Sequence, residues 1–248
     1  MKTLTLALAL VVVAWSSALA QVVSDRDRDD ALRHYRSGEQ ALRREAVEEA
    51  AREFQQAARL DPRLEIAHYG LGQVYMTTRR YTLAIRAYET CREAFRANAA
   101  DALQDQSAAK QRTDDRIRAL EDARNGYEVG TARTANTIAT INLLQQQINQ
   151  LKLQRGRGAD RPEQVPAWIS IALGSAFFRN DAFADAEREF REALSADPKV
   201  GEAHNNLAVV LMLVKRYDEA EKEVVAAEAA GFKVNPQFKA DLKRAAGK

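Results

Sequence analysis

Cysteine is nearly absent: Cys91 stands alone in 248 residues, so no disulfide can form within the chain. Proline is scarce too, with five residues in all, which leaves long stretches free of the residue that most reliably interrupts a helix. No segment shows the apolar–polar alternation and β-branched enrichment of a strand. The prevailing Ala, Arg, Glu, Leu and Gln instead fit an all-helical chain. Neither sign of charge dominates, 37 Lys plus Arg standing against 35 Asp plus Glu, and this balance argues against nucleic acid as the main partner. The sequence has no His-Glu-x-x-His, no paired-cysteine motif, no Gly-rich phosphate loop and no Gly-x-Ser-x-Gly. With no nucleophile set beside a base, the expectation is a non-enzymatic protein without metal or cofactor. Long apolar runs are confined to the N-terminus, where Lys2, the stretch Leu4 to Trp15 and the small-residue site Ala18-Leu19-Ala20 read as a signal peptide over residues 1–20. That stretch is shorter than the roughly 20 residues a membrane-crossing helix needs. The mature chain is therefore expected to begin at Gln21, to be periplasmic or secreted, and to have no transmembrane helix.

What is present is a repeat. His34 and His68 are 34 residues apart, and His204 follows His68 by four times that interval. In the same frame Gly38, Ala50, Phe54, Ala57 and Pro62 return as Gly72, Ala84, Tyr88 and Cys91, then as Gly174, Ala186, Phe190, Ala193 and Pro198, and finally as Ala208, Ala220, Val224 and Ala227. Leu71, Leu173 and Leu207 precede the small residue, and Tyr75, Phe177 and Leu211 follow three after it. This pattern resembles the tetratricopeptide repeat (TPR) family at its most diagnostic positions. The resemblance implies an α-solenoid of about four helical-hairpin units.

Packing accounts for the spacing. Small residues let paired helices approach, and Phe54, Tyr88, Phe190 and Val224 fill the space that remains, alternating gap and plug. Cys91 occupies a slot held elsewhere by Ala57, Ala193 and Ala227, so it reads as a small buried thiol. The three histidines share one slot in separate units and read as structural rather than as a metal site. Pro62 and Pro198, each after an aspartate, close their helices. Asn235-Pro236 starts a capping helix whose apolar pair is Phe238 and Leu242.

These signals divide the chain into a charged lead-in over 21–30, units one and two over 31–98, an insert with its linker over 99–166, units three and four over 167–234, and a cap over 235–248. In unit two Arg96 replaces the proline, and nothing over 97–124 stops a helix. The expectation is a polar rod from about 82 to 124, roughly 60 Å long. Asn125-Gly126 and Gly130 should break it, and a second helix should run from near Ala135 to before Gly156. Its stripe of Ile141, Leu144, Ile148 and Leu151 makes a two-heptad seam. The insert thus reads as an antiparallel hairpin projecting from the array. Its outgoing helix offers only Leu103, Ile117 and Leu120, which leaves part of the stripe for another chain and makes a homo-oligomer through 99–160 the alternative function.

The resemblance also implies an inner groove lined by the first helix of each unit. Its inward positions are Tyr35, Arg36 and Arg43 in unit one, and Tyr69, Gln73 and Met76 in unit two. Unit three supplies Trp168, Ile171, Phe178 and Arg179, and unit four Asn205, Asn206 and Val209. Aromatic, Met and Arg side chains carry binding energy at interfaces. An amide such as Asn206 can both donate to and accept from a peptide backbone. The Lys and Asn set of the chaperone-binding carboxylate clamp is missing. The expected function is a cell-envelope scaffold that holds a partner protein or peptide in this groove. The rival arrangement has Trp168, Ile171 and Phe178 packed against the insert or a neighbouring unit, so that the groove is filled from within.

Overall fold

A computed structural model describes residues 23–104, 106–130, 135–155 and 164–247. The signal-peptide reading therefore lies outside the described residues. Among those described the chain forms eleven helices and no strand: α1 (Asp25–Arg43), α2 (Val47–Leu60), α3 (Glu65–Thr77), α4 (Tyr81–Gln104), α5 (Gln106–Gly130), α6 (Ala135–Arg155), α7 (Ala167–Arg179), α8 (Phe183–Ala196), α9 (Gly201–Leu213), α10 (Tyr217–Ala229) and α11 (Pro236–Ala245). Four hairpins, α1–α2, α3–α4, α7–α8 and α9–α10, are the four units.

Each unit turns between its helices in the same way. Glu45, Arg79, Asp181 and Lys215 all adopt left-handed backbone, with φ of 60, 57, 58 and 62°. The next amide then reaches back five residues, from Ala46 to the Ala41 carbonyl at 2.9 Å, and likewise from Arg80 to Tyr75 at 2.8 Å, Ala182 to Phe177 at 3.0 Å and Arg216 to Leu211 at 2.8 Å. This is the hydrogen-bond pattern that satisfies the orphan carbonyls at a helix end. Between units, Asp61 and Asp197 leave helical geometry and accept from the amides of Arg63 and Lys199, both at 2.9 Å.

The gap-and-plug pairing is direct. A Cβ placed on Gly38 would lie 2.6 Å from the Phe54 ring, and one on Gly174 would lie 2.7 Å from the Phe190 ring. In unit four the plug shrinks to Val224 and the gap closes to Ala208, both buried in one cluster. Cys91 is fully buried, as are its counterparts Ala57, Ala193 and Ala227.

Stacking is continuous across the insert, because α4 packs on α7 just as α2 packs on α3 and α8 on α9. Ala84, Ile85 and Tyr88 of α4 bury against Leu173 and Ala176 of α7. Arg92 of α4 donates to Glu189 of α8 at 2.9 Å. At the far end the Asn235 side chain accepts from the Gln237 amide at 2.8 Å, and Leu242 joins the core of unit four.

The insert departs from expectation in three ways. α4 does run on past the position of the lost proline, to Gln104, but no single rod reaches residue 124. Arg112 comes within 4.0 Å of Asp101, and the Arg116 guanidinium lies 5.3 Å from the Phe95 ring centre. A straight helix would hold residues 95 and 116 roughly 30 Å apart, so α5 folds back along α4. Second, Asn125-Gly126 does not break α5, which continues to Gly130. Gly126 is accommodated in the helix because the Arg43 guanidinium occupies the space beside it, 2.7 Å from where a Cβ would be. Third, the hairpin does not project. α5 and α6 pair antiparallel, through Lys152 with Glu121 at 2.6 Å and Arg124 with Gln145 at 2.6 Å, and α5 lies against α1. A projecting hairpin would bury Ile117 and Leu120 against α6 alone. Folding back brings both, with Leu144, Ile148 and Leu151, into one cluster with Tyr35, Ile66 and Leu71 of the repeats, and that added apolar burial offsets the few net hydrogen bonds of about 1 kcal/mol each lost at the reversal.

Candidate functional site: a half-filled concave face

The inner face is built by α1, α3, α7 and α9, and the insert divides it. At the unit-one end α5 covers α1: Arg36 pairs with Asp122 at 3.2 Å, and Arg43 donates to the Ala123 carbonyl at 3.3 Å while lying over the Tyr127 ring at 5.1 Å. Tyr35, an expected contact for a partner, is 3% exposed and packs on Phe54. Glu39 is buried beside it, and burial raises its carboxyl pKa from 4.5 to about 7 against the lowering influence of Arg43. Between α1 and α5 lies a cavity of about 210 Å³, walled by Tyr35, Glu39, Arg43, Ala119 and Ala123 among others.

The middle of the face is closed by an arginine. Arg116 of α5 is buried, 3.0 Å from Glu65 of α3, with its guanidinium over both Phe95 and Trp168 at 5.3 and 5.5 Å. Trp168 is in turn held edge-on by Tyr69 at 4.9 Å and touched by Leu143 of α6. Ile171 does not face the groove; it packs with Ala193, Val200 and Ala203 of the neighbouring helices. Phe178 leans on Phe183 of α8 at 5.9 Å and stays half-buried. Trp168 and Ile171 are buried within the chain, and Phe178 is half-buried against its own unit. The sequence carried a signal for Arg116 only in hindsight, as a cation one residue before the seam position Ile117.

The four seam residues meet a similar end. Leu144, Ile148 and Leu151 are buried in one cluster with Ile117 and Leu120 of α5, and Ile141 is half-buried. Those three are not free for a second chain in this arrangement, because that cluster also takes in Tyr35, Ile66 and Leu71 of the repeats. Ile138 and Leu153, on the outer side of α6, remain exposed.

What stays accessible runs from the last turns of α3 to the unit-four end. Gln73, Met76, Asn205, Asn206 and Val209 are half-exposed and Arg179 is exposed. Asn205 donates to the Asn206 side-chain oxygen at 3.3 Å, which leaves the Asn206 amide nitrogen outside that bond. Glu202 lies at the foot of this stretch, and desolvation raises its carboxyl pKa. An arrangement of two amides, a guanidinium and a small apolar strip can hydrogen-bond a peptide backbone and bury modest side chains.

The histidines have structural partners. His34 pairs with Glu53 at 2.7 Å and His204 with Glu223 at 2.6 Å, tying the two helices of a unit together, while His68 and His204 donate to the Pro62 and Pro198 carbonyls at 2.9 and 3.1 Å. No cluster of three His, Cys, Asp or Glu able to hold a metal occurs among the described residues, and no described helix is long and apolar enough to cross a membrane.

Three segments match profiles described as tetratricopeptide or TPR repeat, over residues 38–78, 66–98 and 171–236. No curated protein sequence is detectably similar. Among solved structures, the chain is similar to PilF of Pseudomonas aeruginosa, at 16% identity over 89% of this chain and 84% of that one, with a TM-score of 0.35. It is similar to PilW, a type IV pilus biogenesis factor, at 12% identity over 90% and 87%, with a TM-score of 0.41. It also resembles YrrB, a TPR protein with an unusual peptide-binding site, at 15% identity over 89% and 94%, with a TM-score of 0.30.

Proposed function

Because the chain belongs to the tetratricopeptide repeat family, we propose that it is a non-enzymatic interaction scaffold of the cell envelope, which binds a protein or peptide along the open end of its concave face. The observation that carries this reading is the contrast between the two ends of that face: Tyr35 and Trp168 are sealed, whereas Asn205, Asn206 and Val209 of α9 and Arg179 of α7 are accessible. Export rests on the N-terminal pattern of Lys2, an apolar run and Ala18-Leu19-Ala20. The burial of Leu144, Ile148 and Leu151 inside the chain weighs against the alternative of an oligomer held through 99–160, and a single-chain mass by light scattering is the expected result.

The test is a photo-crosslinking residue at Val209 in cells, compared with one at Arg33, which is exposed on α1. A discrete trapped protein from Val209 and none from Arg33 supports the reading. Equal trapping from both positions removes it.

A further inference from the structure

The seat of α5 is incompletely packed. The seams between repeats are closed by fully buried side chains such as Phe54, Leu173 and Leu207, yet the seam between α1 and α5 retains a cavity of about 210 Å³ where Ala119 and Ala123 face Tyr35. The Arg116 guanidinium reaches Glu65, but its Nε and Nη2 are buried without a protein hydrogen-bond partner, as is Nε2 of Gln147 on the inner side of α6. A buried donor left without an acceptor weakens the seat. A carboxyl, Glu39, is buried beneath the same helix. The unit-to-unit contacts of α2 with α3, α4 with α7 and α8 with α9 are made without α5.

The chemistry of the seat also defines what could replace α5. Glu65 with the faces of Phe95 and Trp168 forms a pocket for one guanidinium, since a planar cation is held by a carboxylate and by aromatic faces together. The cavity next to Ala119 and Ala123 has room for side chains larger than alanine.

We infer that the concave face of units one to three is a receptor for an amphipathic helix that presents an arginine to Glu65 and an acid to Arg36, and that α5 is a tethered occupant which such a helix displaces. This rests on the reading of the chain as a binding scaffold and extends its groove from the open end into the covered one. α5 sets the threshold: only a helix that fills the seat better than Ala119 and Ala123 do gains entry.

The experiment uses the full chain and a fluorescein-labelled peptide of residues 106–130 carrying Ala119→Leu and Ala123→Leu, read by anisotropy. Arg116→Ala weakens the tethered occupant while the peptide brings its own arginine, so the peptide should bind this variant about tenfold or more tightly than the unaltered chain. A chain with Arg36→Cys and Asp122→Cys, bridged by a short bismaleimide, should not bind it. Cys91 is fully buried and is spared by the reagent. Should Arg116→Ala lose its helical signal, Asp122→Arg replaces it, since it turns the half-exposed Arg36 contact repulsive without touching the core. Equal affinity for the variant and unaltered chains, binding to the bridged chain, or no binding to any of them overturns the inference. The Val209 crosslink reads the open end alone, so its loss would fault the scaffold reading while leaving this result standing.

Discussion

At the scale of single residues, two positions per unit decide whether the hairpin closes. Replacing Gly38 with Ala should gain roughly 1 kcal/mol of helix propensity, but the new Cβ would fall 2.6 Å from the Phe54 ring, and overpacking of that kind costs about 1–3 kcal/mol. The expected net result in urea unfolding is destabilisation, and the same holds for Gly174→Ala. The left-handed turn residue acts in the opposite direction. Lys215, at φ 62°, bears a strain of roughly 1–2 kcal/mol that glycine does not, so Lys215→Gly should raise stability by about 1 kcal/mol.

The gap-and-plug residues were legible in the sequence because size alone fixes them. The turn residues were not, because Glu45, Arg79, Asp181 and Lys215 share only a backbone angle and none is glycine. Glu39 was legible as an inward position of α1, but its burial under α5 was not. In the fold its carboxyl pKa rises from 4.5 to about 7 through burial. The folded chain therefore holds that proton more tightly than the unfolded one. Its contribution to stability is complete below about pH 4.5 and is lost as pH rises through about 7, a span worth up to roughly 3 kcal/mol. Denaturation midpoints measured across that window should fall with rising pH, and Glu39→Gln should flatten the fall.

At the scale of elements, helix identity was written in periodicity and helix placement was not. The stripe Ile141, Leu144, Ile148 and Leu151 announces an amphipathic helix, yet nothing local says which surface it meets. The answer depended on α5 reversing after Gln104, and that reversal is held by contacts remote in sequence: Arg116 with Glu65, Phe95 and Trp168, and Arg36 with Asp122. A lost proline at Arg96 correctly foretold a longer α4, because a missing stop signal is local. The breaker at Gly126 misled because Arg43 occupies the space beside it. If α6 is part of the core, Ile148→Ala should cost about 2–5 kcal/mol. The same substitution at exposed Leu153 should change the unfolding midpoint by no more than about 0.5 kcal/mol equivalent.

At the scale of the whole molecule, four repeats stack without interruption because α4 meets α7 directly. The array itself could be read from the 34-residue interval, since each unit needs its neighbours to bury its apolar faces. The candidate site was half legible for the same reason. The inward positions of α9 are where repeat geometry puts them, but those of α1 are covered by a helix whose path no repeat dictates. The most direct measurement of this account is the separation of spin labels attached at residues 36 and 122 by pulsed electron resonance. The folded-back insert, with Arg36 and Asp122 in contact at 3.2 Å, predicts a single short distance below about 20 Å once label arms are allowed for. A hairpin standing out from the array on a rod roughly 60 Å long would give a distance beyond about 40 Å, and that result would contradict it.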